Sequence, residues 1–154
     1  AELPRARKKR DELGFVGAFE LDGELIGTIR LVPMGHRLTL TEDLLDQLGP
    51  DAPKHDGSRW EVGRLVLSEQ YRSDVDALRR CLYLSLDYAS RQTPIENLYA
   101  SCTHVLGRLY RRFAFAAFAS GVPLPGTEKT YTLIHGRAAN VLHALDRNAA
   151  TLPN

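Results

Sequence analysis

Two charged residues stand where a strand should be apolar. In the stretch RWEVGRLVLSEQYRSD (59–74), Glu61 and Arg64 interrupt a Trp, Val and Leu run that reads as a β-strand over 59–67. Burial on such a strand desolvates a carboxylate and raises its pKa, which suits a general base working near neutrality. Arg64, three residues on, opposes that shift. In extended backbone it points to the other face from Glu61, unless a bulge near Gly63 changes the alternation. Arg64 and Arg30 carry the planar fork that grips a carboxylate bidentately. The same three charges could instead form a half-buried ion-pair network that holds a sheet together. The stretch ends in a turn and the start of a helix, where free N–H groups attract anions. No glycine occurs between Leu65 and Thr103, however, and Asp74 and Asp76 stand where an anion would approach.

The elements that must position these residues follow from periodicity and turn chemistry. GFVGAFELDGELIGTIRLVP (14–33) predicts a hairpin, with two Phe/Val/Ile-rich runs flanking Asp22-Gly23. TEDLLDQLG (41–49) predicts a short helix with Thr41 as cap, acids in its first turn and Gly49 as stop. From Ser73, taken as cap, Val75, Leu78, Leu82, Leu86 and Ala89 fall at helical spacing. IENLYASC (95–102) reads as a fourth strand and THVLGRLYRRF (103–113) as a helix. For AFAAFASG (114–121), propensity leaves a helical extension and a strand both open. EKTYTLIHG (128–136) is a strand and RAANVLHALDR (137–147) a helix. This order predicts a mixed α/β sheet covered by helices, with the strands of the 59–102 unit parallel. In open sheets of this kind ligands bind beyond the carboxyl ends of parallel strands, here Leu67–Ser73 and Ser101–Thr103.

A chain of 154 residues suits one domain, and a net charge of +1 gives no general affinity for nucleic acid. The charge is unevenly spread. Arg5, Arg7, Lys8, Lys9 and Arg10 form a basic run, and Arg79, Arg80, Arg108, Arg111 and Arg112 form further basic spots. Cys81 and Cys102 lie in separate apolar segments, as reduced core thiols of a cytoplasmic protein would. No apolar run approaches the ~20 residues of a membrane span. The histidines (His36, His55, His104, His135 and His143) show no metal-ligand spacing, so no metal is expected. His104, at a helix start, reads as structural.

NLYASCTHVLGRLYRRFAF resembles the strand–helix–strand segment of the GNAT N-acyltransferases, which carries a Leu-Tyr-x-x-x-Gly-Phe pattern. Leu109-Tyr110 and Phe115 match it, and Ala114 replaces the glycine. The resemblance implies a GNAT-like mixed, largely antiparallel sheet with a central parallel pair, covered by helices. It makes Tyr110 a candidate general acid for the leaving thiolate; a tyrosine packed in the core is the alternative. The turn at Arg72, Ser73, Asp74 and Val75 falls where that family cradles the pyrophosphate of coenzyme A on glycines, which are missing here.

A narrower resemblance accounts for that departure. Gly27-Thr28-Ile29-Arg30-Leu31 and Glu61-Val62-Gly63-Arg64 look like the Gly-x-x-Arg-Leu and Glu-x-x-Arg strands of acyl-homoserine lactone synthases and long-chain N-acyl amino acid synthases. The likeness spans roughly residues 14–136. It implies an acyltransferase domain over 14–147, between a charged tail or helical remnant (1–13) and a C-terminal tail (148–154). Those relatives also carry an upstream helical segment with a pair of aspartates, of which only Asp11 could be represented here.

By this resemblance Glu61 is the base that deprotonates an amine through water, and Arg30 or Arg64 holds the acceptor. Backbone amides at Leu65, Val66 and Leu67 polarise the thioester if the strands splay. The donor is an acyl-phosphopantetheine, with no tightly bound cofactor. Acyl carrier protein delivers one phosphate and needs fewer glycines than acyl-CoA does. An acidic carrier would dock on the basic run or on Arg79 and Arg80. An amino acid acceptor is expected over lactone synthesis. A CoA-dependent acetyltransferase and a non-catalytic lipid-binding regulatory domain are the competing readings.

Overall fold

The computed structural model describes residues 12–146; the basic run, Asp11 and the C-terminal tail lie outside the described residues, as does the Arg64 side chain. In chain order the elements are β1 (Phe15–Leu21), β2 (Glu24–Pro33), α1 (Leu40–Leu48), β3 (Arg59–Leu67), α2 (Val75–Gln92), β4 (Asn97–Cys102), α3 (His104–Tyr110), β5 (Ala116–Pro123), β6 (Thr130–Arg137) and α4 (Ala138–Leu145). The six strands form one sheet in the order β1-β2-β3-β4-β6-β5. Every neighbouring pair is antiparallel except β3–β4, which is parallel. This is the mixed, largely antiparallel sheet with a central parallel pair that the resemblance implies.

The central strands are buried on both faces, as their continuous apolar runs require. On one face α2 presents Leu78, Cys81, Leu82, Leu86 and Ala89 at helical spacing to Ile29, Leu31, Trp60, Val62, Leu98 and Ile134, and α4 adds Val141 and Leu145. Full burial of each large aliphatic side chain contributes about 1.5–3 kcal/mol. The neighbouring residue on β6, Leu133, points the opposite way and packs with Val122 against Leu44 of α1. Helix α1 therefore covers the reverse face. Gly17 lets the hairpin approach α2 closely, since a Cβ there would stand 2.8 Å from Ser85 Oγ.

The hairpin turns at Asp22 (φ 52°) and Gly23 (φ 83°), the left-handed pair that a tight two-residue turn needs. Two helix caps differ from the sequence expectation. Thr39, not Thr41, caps α1, accepting from Glu42 N–H, and Asp74, not Ser73, caps α2, accepting from Ala77 N–H. Both expectations chose the wrong one of two polar residues near the boundary. After α3 a short 3₁₀ turn (Arg111–Phe113) ends at Ala114 in the left-handed region (φ 68°), and the chain enters β5. The open question at 114–121 thus resolves as a strand. Arg79 is no open basic spot: it pairs with Asp76 and donates to the Leu145 carbonyl at 2.6 Å, tying α2 to α4. Among the described residues no helix is long and apolar enough to cross a membrane.

Ala114 carries the cost that an L side chain pays for a left-handed backbone. Ala114→Gly is expected to raise stability by about 0.5–1 kcal/mol in urea unfolding, where Gly at an ordinary helical position would lower it.

Candidate active site

The parallel ladder between β3 and β4 is short. It pairs Arg59 with Asn97, Trp60 with Leu98 and Glu61 with Tyr99, and then stops. Beyond that point β3 pairs with β2 alone and β4 with β6 alone. The β2–β3 register also slips here: Arg30 faces Gly63, but Thr28 faces Val66, so β3 holds one extra residue at 64–65. It is a bulge beside Gly63, where the sequence left one open. It reverses the alternation, so that the core-facing residues run Trp60, Val62 and then Leu65, Leu67.

Two clefts meet at the opening. The first, of about 560 Å³, is largely apolar and includes Leu65, Leu67, Leu78, Cys102, Leu109 and Tyr110 in its walls. The second, of about 700 Å³, lies toward α1 and includes Glu61, Arg30, Arg37, Asp43 and Lys129. Val62, Gly63, Ser101 and Tyr131 line both. The gap between the strands is therefore a window, with a polar chamber on one side and an apolar one on the other.

Glu61 is 9% exposed and accepts the backbone N–H of Thr41 on Oε2 at 2.8 Å. Its Oε1 lies over Gly63, where an added Cβ would come within 3.1 Å of it. Arg30 reaches the same chamber from β2. Asp43, on α1, has its pKa raised by burial and by Asp46 and Glu42, partly offset by Arg37. Across the window Tyr110 is 5% exposed and packs against Phe113 and Phe115. Burial first, and Cys102 second, push its phenol well above the ordinary tyrosine range. Among the described residues its hydroxyl finds no hydrogen-bond partner, although the ring lines the apolar cleft. Such a phenol stays protonated and can donate to an anion formed beside it. Burial likewise pushes the Cys102 thiol up to about 11, which keeps it un-ionised and non-nucleophilic near neutrality.

The turn after β3 carries Arg72, Ser73, Asp74 and Val75. Arg72 lines the apolar cleft, and its Nε donates to the Leu67 carbonyl at 3.4 Å. Asp74 is spent on capping α2. Val75 lines a smaller cleft of about 330 Å³ with Val105, Leu109, Arg108 and Arg112.

Sequence reasoning missed Arg37, Asp43, Lys129 and Tyr131, which sit on loops and elements distant in sequence from Glu61. It also missed a half-buried polar cluster on the α1-side face. The His55 ring stacks on His135 at 3.6 Å and bonds the Tyr99 hydroxyl, while His135 and Arg137 both donate to Asn97 Oδ1 at 3.0 Å. His104, by contrast, is simply an exposed first residue of α3, capped by Thr103. Among the described residues no group of three or more His, Cys, Asp or Glu could hold a metal.

The sheet order, the single parallel pair and the window beside it are those of a GNAT-like fold. Among solved structures the chain is similar to FeeM, an N-acyl amino acid synthase from uncultured soil microbes (14% identity, 99% of this chain and 83% of that one, TM-score 0.66). It is also similar to TofI, solved with an inhibitor and MTA (23%, 85% and 67%, 0.60), and to BjaI, a CoA-dependent acyl-homoserine lactone synthase solved with SAM and isopentyl-CoA (15%, 90% and 65%, 0.59). The chain thus spans about two thirds of the length of TofI and of BjaI, and at these identities the likeness is one of fold. No protein-family model matches the sequence, and no curated protein matches it.

Two outcomes follow from this geometry. Gly63→Ala sets a methyl 3.1 Å from Glu61 Oε1, the end of a flexible side chain beside an open chamber, so the carboxylate gives way and urea unfolding is expected to change by no more than about 1 kcal/mol; a loss of several kcal/mol would mean that the carboxylate is rigidly held. Burial, then His55 and Arg137, lower the His135 pKa to about 4, below the unfolded value of about 6.5. A depressed histidine contributes stability above pH 6.5 that is lost as pH falls toward 4. Denaturation midpoints should therefore drop through that window in the native sequence and drop less in His135→Gln.

Proposed function

We propose that this chain is an N-acyltransferase. It moves a medium or long acyl chain from a phosphopantetheine thioester, carried by acyl carrier protein, to the amine of an amino acid or related acceptor. The observation that carries this reading is the placement of Glu61 and Tyr110 on opposite sides of one window, between a polar chamber and an apolar one. An acyl chain fits the apolar cleft. Arg30, Arg37 and Lys129 favour an acceptor with a carboxylate in the polar one.

In this mechanism the acceptor amine loses a proton to Glu61, through water, and attacks the thioester carbonyl in the window. Backbone N–H groups of the Leu65–Leu67 segment that face the side β4 has left polarise the carbonyl oxygen, while that of Val66 is directed to β2. As the tetrahedral intermediate collapses, the C–S bond breaks and Tyr110 donates a hydrogen bond to the leaving sulfur. Its raised pKa makes complete proton transfer from the phenol unfavourable, so the proton that Glu61 took from the amine passes through water to the thiolate and the carboxylate is regenerated. Transfer is direct. The un-ionised Cys102 thiol supports no acyl-enzyme step.

The donor reading rests on the turn at Arg72–Val75. With Asp74 occupying the start of α2, little remains there to hold a pyrophosphate, which favours a donor presenting one phosphate. BjaI is described as CoA-dependent, so the alternative donor is explicit. Decanoyl carrier protein and decanoyl-CoA should be assayed side by side with a mixture of amino acids. Faster turnover with the carrier is expected, and efficient use of CoA with no response to the carrier would overturn the donor assignment. In folded protein, Glu61→Gln should lower kcat about 10²–10³-fold and Tyr110→Phe about 10-fold, magnitudes usual for loss of a general base and of one donor. Unchanged rates in both would remove these residues from the reaction.

A further inference from the structure

The proposed base does not stand on the strand alone: its carboxylate is held by the first turn of a helix twenty residues upstream. Thr39 caps α1 and its hydroxyl takes the Glu42 N–H at 3.1 Å. Glu42 returns a carboxylate oxygen to the Thr39 hydroxyl at 2.9 Å and gathers the loop N–H groups of Gly35 (3.0 Å) and Arg37 (3.3 Å). The N–H groups of a helix's first turn have no intrahelical acceptor. At Thr41, in that first turn, the N–H goes to Glu61 Oε2 at 2.8 Å. Thr41 is wholly buried, and its hydroxyl lies 2.7 Å from that of Ser101, in the part of β4 that no longer pairs with β3.

We infer that Thr41 is the positioning residue for Glu61. Its main-chain N–H anchors Oε2, which sets Oε1 over Gly63 as the oxygen that receives the proton. Its hydroxyl pins α1 to β4 at the window. The inference rests on the proposed role of Glu61 as base. Nothing in the local sequence of β3 reveals it, because the donor is a backbone group.

A hydrogen bond to the ionised form favours that form, so deleting the N–H should raise the pKa of Glu61, whereas deleting the hydroxyl should not. Among the described residues, the titratable and charged groups that share its chamber are Arg30 from β2, Arg37 and Lys129 from loops, Asp43 from α1 and Tyr131 from β6, and both variants leave these side chains unsubstituted. Proline is tolerated in the first helical turn and lacks the N–H, so Thr41→Pro removes the anchor; Thr41→Val removes only the hydroxyl.

The test is a pH titration of the Glu61 side-chain carboxyl by ¹³C NMR, with the resonance assigned through Glu61→Gln. Thr41→Pro should raise the midpoint by about one unit and Thr41→Val should leave it in place. If proline unfolds the protein, an ester in place of the Leu40–Thr41 amide removes the same N–H and gives the same reading. Equal shifts in both variants, or none in either, would overturn the inference. With decanoyl carrier protein as donor, the N–H deletion should lower kcat about 10-fold with KM unchanged. Because the titration needs no turnover, a shifted midpoint in a protein that transfers no acyl group would sink the proposed function while leaving the anchor standing.

Discussion

Backbone N–H and C=O groups in a sheet interior must be paired, and β3 and β4 stop pairing after Glu61 and Tyr99. Everything of chemical interest in the fold depends on that break. Had the ladder continued, no window would join the two clefts, and Glu61 would face only α1. The break is tolerated because its neighbours are firm. Strand β3 stays laddered to β2 through the bulge, β4 stays laddered to β6, and α2 and α4 clamp the far face with a continuous apolar core. Val62, Gly63 and Ser101 at the rim of the opening lie on strands that stay laddered on their outer sides.

The bulge and the break act together. One extra residue at 64–65 turns Leu65 and Leu67 to the α2 side, while Glu61 and Gly63 keep the α1 side. A regular strand would place the sequence's apolar residues and its carboxylate on conflicting faces. This is why a strand with charged residues in an apolar run is stable here. The run serves two surfaces in succession, and the carboxylate finds a backbone donor on the helix that covers its face.

Much of the architecture was legible. The limits of β3, the hairpin about Asp22-Gly23 and the helical face Leu78–Leu82–Leu86–Ala89 follow from local periodicity and turn chemistry. A bulge near Gly63 was left open by the sequence, as the one change that would alter the alternation between Glu61 and Arg64. What failed locally failed for physical reasons. Thr39 and Thr41 are both competent caps, and the choice falls to Thr39 because Glu42 lies three residues beyond it and answers it. The strand at 116–123 hid behind an alanine-rich run whose break, Ala114, lacks the glycine that would announce a left-handed residue. The partners of Glu61 and the His55–His135 stack are products of the topology, joined across 20 and 80 positions of sequence, and no local pattern carries them.

The central claim is that an acyl thioester is held in the window between Glu61 and Tyr110. A crystal structure with a non-hydrolysable thioether analogue of decanoyl-phosphopantetheine tests it most directly. The account predicts the alkyl chain in the apolar cleft, the sulfur beside the Tyr110 hydroxyl and the carbonyl-equivalent carbon in the opening between β3 and β4. An analogue bound elsewhere, with the opening closed between Gly63 and Ser101, would contradict it.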